Sequence, residues 1–199
     1  MKEEGVKEYG LDPLRKHIFI VGGSLGSARF NQCMKKWITD GCPGIDGVDV
    51  LWQCGKHYKP DIDKFMDEQR AKNPDVVRHI HHSDFIGRMD LAYAAADVVV
   101  SRSGASSVSE LCAARKAVIF IPSPNVAEDH QTHNAMALVR KDAAVVVKDS
   151  EAMEKMIPTA LELLKDPARI ATLEENAGKM ALPDAAEKIA EEVYKLVKG

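Results

Sequence analysis

A strand read at Asp97–Ser101 breaks into Arg102-Ser103-Gly104-Ala105-Ser106-Ser107-Val108-Ser109-Glu110. A second, at Ala117–Ile121, breaks into Pro122-Ser123-Pro124-Asn125-Val126-Ala127-Glu128-Asp129-His130-Gln131. Both breaks put polar, hydroxyl-bearing residues where buried parallel strands end and helices begin. In open α/β sheets ligands bind beyond the carboxyl ends of the strands, and helix N-termini there favour anions. Two such exits side by side suit an anionic ligand rich in hydroxyls, of the nucleotide kind.

Gly22-Gly23-Ser24-Leu25-Gly26-Ser27 forms a third exit, after the first strand. Gly22, Gly23 and Gly26 would let the backbone approach a phosphate and offer it N–H groups, although a tight strand-to-helix turn explains glycine equally well. The G-x-G-x-x-G spacing is absent, and the second strand ends in Gln53-Cys54-Gly55 without the acidic residue that holds an adenosine ribose. That argues against NAD or FAD.

Ser106 or Ser107 could cap the helix that follows, and Glu110, three residues after Ser107, could close a capping box. A carboxylate at the crevice mouth could equally accept paired hydrogen bonds from a ribose diol, and both readings stand. Asp129, His130 and Gln131 suit sugar hydroxyls, because carboxylate, imidazole and amide groups match OH donors and acceptors. His130 and His133 lack a third committed ligand, so the expectation is no metal. His79-Ile80-His81-His82 is placed at the end of the third strand, with His79 and His81 on one face, as a cluster without function. No G-x-S-x-G elbow supports nucleophilic hydrolysis. Arg102 could neutralise a phosphate or sit in a surface salt bridge.

Further β-rich runs at His17–Val21, Val48–Gln53, Val76–Ile80 and Ala143–Val147 join the two strands above. Helical patterns separate most of them, at about Ser27–Thr39, Pro60–Lys72, Arg88–Ala96, Ser106–Arg115 and Gln131–Lys141. Such alternation implies right-handed crossovers and a doubly wound, Rossmann-like parallel sheet of six strands. Ser150–Lys165, Pro167–Met180 and Asp184–Lys198 read as three C-terminal helices.

The 199 residues are 45 % apolar, enough for a core, and a net charge of -3 with interspersed signs excludes the basic stripe of a nucleic-acid binder. Cys33, Cys42, Cys54 and Cys112 form no C-x-x-C pair and read as small buried hydrophobes in a reducing compartment. No apolar run approaches the roughly 20 residues that span a bilayer, so a cytoplasmic chain is expected. Lys2–Tyr9 reads as a short uncapped helix, from which more protein is expected before residue 1.

Taken in order, Gly22-Gly23-Ser24-Leu25-Gly26-Ser27, Ser101-Arg102-Ser103-Gly104-Ala105-Ser106-Ser107-Val108-Ser109-Glu110 and Glu128-Asp129-His130-Gln131-Thr132-His133-Asn134 resemble the loops of glycosyltransferase family 28. That family includes the bacterial N-acetylglucosaminyltransferases that make lipid II for peptidoglycan. The resemblance extends from about Lys2 through Pro183-Asp184-Ala185-Ala186. It implies one half of a two-domain GT-B fold, the C-terminal half that binds UDP-GlcNAc. Residues 1–16 would then be a linker and short helix from an N-terminal domain, 17–165 the donor-binding domain and 166–199 the C-terminal helices.

By the same resemblance, Ser24 contacts the diphosphate and the backbone of Ile86 reads the uracil. Ser106 and Ser107 lie beside the phosphates, Glu110 holds the ribose hydroxyls, and His130 and Gln131 contact GlcNAc. The sequence departs from versions with two consecutive glutamines at 130 and 131, and has Ser107 where threonine is common. The implied reaction is inverting: the C4 hydroxyl of lipid-linked MurNAc attacks the anomeric carbon while UDP leaves, with no cofactor and no metal. Helix dipoles would stabilise the charge growing on the diphosphate.

The resemblance places the lipid I acceptor, the membrane-facing patch and the general base in the N-terminal domain, so no catalytic residue is expected in this chain. Alone it would bind donor without transfer, and the full-length enzyme would lie at the inner face of the cell membrane. Two other readings are a stand-alone donor-binding subunit acting with a separate acceptor partner, and a fragment of a sugar-nucleotide epimerase.

Overall fold

A computed structural model describes residues 1–124 and 129–198. Glu128, part of the third quoted loop, lies outside the described residues. Six strands, β1 (Lys16–Val21), β2 (Val48–Gln53), β3 (Ile80–Ser83), β4 (Val98–Ser101), β5 (Val118–Phe120) and β6 (Val145–Val146), form one all-parallel sheet in the order β3-β2-β1-β4-β5-β6. This is the doubly wound Rossmann order, with its switch point between β1 and β4.

The period-2 alternation of a strand divides the core. Ile18 and Ile20 of β1, Val98 and Val100 of β4 and Ile119 of β5 join one apolar cluster, while Phe19, Val21, Val99, Val118 and Phe120 join another on the opposite face. The first face is covered by α2 (Ala28–Thr39), α3 (Lys59–Lys72) and α8 (Ala152–Leu164), and the second by α5 (Met89–Ala95), α6 (Ala105–Ala113) and α7 (His130–Val139). Because both faces are buried, the middles of the central strands are continuously apolar, as in Ile18–Val21, Val50–Trp52 and Val98–Val100.

The third strand is a correction. It runs Ile80–Ser83, not Val76–Ile80, because Pro74 starts a short helix, α4 (Pro74–Val77), and β2 pairs Val50 with Ile80 through Gln53 with Ser83. His79 therefore precedes the strand and His81 and His82 lie within it, where an edge position tolerates their half-buried side chains. His79 and His81 do share a face, turned to the buried Asp49 at 2.9 and 3.7 Å, while His82 turns the other way to Asp63 at 2.7 Å.

At the start of the chain, α1 (Lys2–Glu8) packs against α5 so closely that a Cβ on Gly5 would stand 2.2 Å from the Leu91 carbonyl oxygen. At the end, α9 (Pro167–Lys179) packs on α6 and α8, whereas α10 (Ala185–Lys198) leaves Ile189, Val193 and Leu196 largely exposed.

Candidate functional site

The carboxyl ends of β1, β2, β4 and β5 open into a cleft of about 810 Å³. Gly22, Gly23, Ser24 and Gly26 line it from the loop after β1, Ile86 from the loop before α5, Ser106, Ser107 and Glu110 from α6, and Gln131 from α7. Asp129 and His130 lie outside the lining, at the exposed start of α7. Asp129 takes a left-handed backbone (φ 52°) and accepts a hydrogen bond from Thr132 Oγ1 at 2.6 Å. The histidine segment, in and just before β3, sits on an edge strand of the sheet.

Two glycines of the loop take a left-handed backbone. Gly26 (φ 78°) lies against the exit of β2, where a Cβ would come within 2.3 Å of the Cys54 carbonyl oxygen. Gly23 (φ 91°) has open space around it and needs glycine for its backbone alone. Beneath the loop, Asn31 donates to the Cys54 carbonyl at 2.9 Å and accepts from the indole of the fully buried Trp52 at 3.0 Å, locking α2 to the end of β2.

Helix α2 begins with Ser27 as its cap, accepting from the Phe30 N–H. Helix α6 begins at Gly104 with no side-chain cap, which overturns the capping reading of its serines: Ser106 and Ser107 already lie inside the first turn. Neither helix carries an acidic residue in that turn, and α6, without a side-chain cap, presents its positive end and first N–H groups to the cleft. Glu110, a turn further on, has no part in a capping box; its Oε2 accepts from the Tyr93 hydroxyl at 3.2 Å. Burial, with the Glu110 charge beside it, pushes the Tyr93 hydroxyl above the usual phenol range.

Three further residues organise the cleft without having been singled out for it. Gln53, 2 % exposed, accepts from the Gly22 N–H and donates to the Asp84 carbonyl, both at 3.1 Å, so the glycine loop and the Ile86 loop are held by one side chain. Ser103, fully buried, donates its hydroxyl to the Gln131 carbonyl at 2.7 Å, and Asn134 donates to the Ser103 carbonyl at 3.0 Å. Gln131 Oε1 in turn accepts from the backbone N–H groups of Ser123 (2.9 Å) and Ser103 (3.3 Å), which leaves its amide nitrogen as the end turned to other work. Nothing local in the sequence marks Gln53 or Ser103 except polarity at a strand exit that must be buried, and Asn134 is one of several polar residues on α7.

Arg102 sits in an ion pair that is largely buried instead of on the surface: its guanidinium pairs with Asp149 at 2.7 Å, donates to Ser27 Oγ at 3.0 Å and lies 4.6 Å over the Phe30 ring. Among the described residues, no group of three or more His, Cys, Asp or Glu side chains stands close enough to hold a metal ion. The cleft thus offers hydroxyls, N–H groups and helix dipoles together with the Glu110 carboxylate one turn further along α6, a set that fits an anion joined to a diol.

The model of the glycosyltransferase family 28 C-terminal domain matches residues 17–189. The chain is 45 % identical, over 98 % of its length, to the UDP-N-acetylglucosamine--N-acetylmuramyl-(pentapeptide) pyrophosphoryl-undecaprenol N-acetylglucosamine transferase of Parabacteroides distasonis, covering 51 % of that protein. It is 44 % identical to the protein of the same name from Phocaeicola vulgatus, over 98 % of the chain and 50 % of the relative. The chain therefore spans about half the length of the curated relatives it matches. Among solved structures, MurG of Acinetobacter baumannii superposes with a TM-score of 0.74 at 25 % identity, over 96 % of this chain and 53 % of that one. The Staphylococcus aureus MnaA–UDP structure shares the fold, with a TM-score of 0.68 at 13 % identity over 100 % of this chain and 50 % of that one. The sheet order, the cleft and a family match across residues 17–189 agree: the chain belongs to glycosyltransferase family 28, as its C-terminal domain.

Proposed function

We propose that this chain is the donor-binding half of an inverting N-acetylglucosaminyltransferase, and that its cleft takes UDP-GlcNAc for transfer to lipid I. The observation that carries the reading is that Glu110 stands about one turn along α6 from that helix's uncapped start, in the lining of the same cleft as the glycine loop. A ribose diol on Glu110 would bring the diphosphate toward Ser24 and the N–H groups of Ser106 and Ser107. Ile86 turns its side chain into the core, 3 % exposed, so its main chain is what meets the uracil. The Gln131 amide nitrogen then donates to a GlcNAc hydroxyl, with Asp129 and His130 approaching from the rim.

As the bond to the anomeric carbon breaks, charge grows on the departing UDP. The helix starts and loop N–H groups, fixed before the reaction, stabilise it without reorganising. The proton of the attacking hydroxyl is taken by a base outside this chain, on the acceptor half. Residues 17–165 form the donor domain in this reading, 1–16 the linker and 166–199 the terminal helices. Among the described residues no helix is long and apolar enough to cross a membrane, and the reading has the acceptor half bring the enzyme to the inner membrane face as a peripheral protein.

A crystal structure with UDP-GlcNAc tests the placement. Density with the ribose hydroxyls within hydrogen-bond distance of Glu110 and the diphosphate against Ser24 and the start of α6 supports it. Ligand bound beside His79–His82 instead overturns it.

A further inference from the structure

Tyr93, on α5, is 5 % exposed, and its ring is set edge-on to Phe19 with centroids 5.9 Å apart. It belongs to the same apolar cluster as Ile86, and its hydroxyl reaches the cleft wall to donate to Glu110 Oε2 at 3.2 Å. Glu110 itself is exposed on α6, where nothing in its own helix holds it. The two residues come from different helices on one face of the sheet, so the bond fixes an otherwise free carboxylate to the core.

We propose that Tyr93 is the positioning residue for donor recognition, pinning one oxygen of Glu110 so that the carboxylate meets the ribose diol already oriented. The proposal rests on Glu110 being the ribose ligand. A carboxylate has about four lone-pair sites and the phenol occupies one, leaving enough for two sugar hydroxyls. A glutamate free to rotate loses that freedom on binding, whereas one held beforehand has already lost it, so pre-orientation appears as affinity. The phenol is well suited to this. It is rigid, anchored on Phe19, and remains protonated, hence a donor, throughout the neutral range because burial opposes its ionisation.

Calorimetric titration of four proteins, the unaltered chain, Tyr93→Phe, Glu110→Ala and the double variant, with UDP and with 2′,3′-dideoxy-UDP separates the roles. Phenylalanine keeps the ring packing, and a thermal melt checks that the fold is retained. The expected result is that Tyr93→Phe weakens UDP binding about three- to ten-fold, leaves dideoxy-UDP unchanged, and has no further effect once Glu110 is alanine. Equal weakening for both ligands would assign Tyr93 a purely structural role and overturn the proposal. So would unchanged UDP affinity in Tyr93→Phe beside a ten-fold or greater loss in Glu110→Ala. If Glu110→Ala itself leaves UDP binding unchanged, the assignment of Glu110 to the ribose falls first.

Discussion

Arg102 and Asp149, distant in sequence, meet at 2.7 Å on the cleft wall, with only 14 % and 12 % of their side chains exposed. Arg102 also donates to the Ile121 carbonyl at 2.9 Å and to Ser27 Oγ, and Arg29 reaches the other oxygen of Asp149 at 3.1 Å. One carboxylate thereby joins the start of α2, the exit of β4, the end of β5 and the turn after β6. Removing it strands a cation that is mostly out of water. Asp149→Ala is expected to cost about 2–4 kcal/mol of stability, read from urea unfolding, and Arg102→Lys a similar amount because an ammonium cannot make the fork. A loss below about 0.5 kcal/mol would reduce the pair to an ordinary surface bridge.

Two glycines of the first loop, Gly23 and Gly26, should differ. Gly26→Ala combines a strained φ with a Cβ 2.3 Å from the Cys54 carbonyl oxygen, so the loop must move away from β2 and the loss should exceed about 3 kcal/mol. Gly23→Ala meets no neighbour and should lose only the backbone cost, about 1–2 kcal/mol. Denaturation midpoints of the two variants check this; equal losses would mean that the contact with β2 does not constrain the loop.

Asp49 carries a pH prediction. Burial works against its ionisation, yet the His81 imidazole 3.7 Å away and hydrogen bonds with the Asp12 N–H and His79 outweigh it and hold the carboxyl at about 2, against an ordinary 3.8. A carboxyl whose folded value is depressed contributes stability above its unfolded value, and that contribution is lost as pH falls from about 4 toward 2. The gap corresponds to roughly 2 kcal/mol. Unfolding free energies at pH 6 and pH 2 should therefore fall by about that much more in the unaltered chain than in Asp49→Asn. Parallel acid profiles would contradict the assignment.

The four cysteines should be inert in the folded chain. All are buried and free, and burial raises the thiols of Cys33 and Cys54 to about 11 and of Cys42 to about 12, so little thiolate exists at pH 8. Cys112 is raised in the same direction. A thiol reagent should label none of them in buffer and all four in denaturant; rapid labelling without denaturant would show that the core opens locally.

The sheet was readable because its signal is local. Continuous apolar runs rich in Val and Ile alternate with helical stretches, and that pattern is what burial on both faces demands. The third strand was displaced because Val76 and Val77 look like a strand in isolation, and only the register of Ile80 against Val50 decides otherwise. The serines of α6 looked like caps because the sequence does not reveal that Gly104 already begins the helix. Gln53, Tyr93 and Ser103 were invisible as site residues for a different reason. Each acts through a partner from another loop or helix, Gly22, Glu110 and Gln131, and such pairings exist only once the strands are aligned.

The most direct test of the donor-binding reading is a calorimetric titration of the folded 199-residue chain with UDP-GlcNAc and with UDP. The reading requires saturable binding of both ligands at about one per chain, with each displacing the other from a single site. A folded sample that gives no saturable heat with either ligand would contradict it.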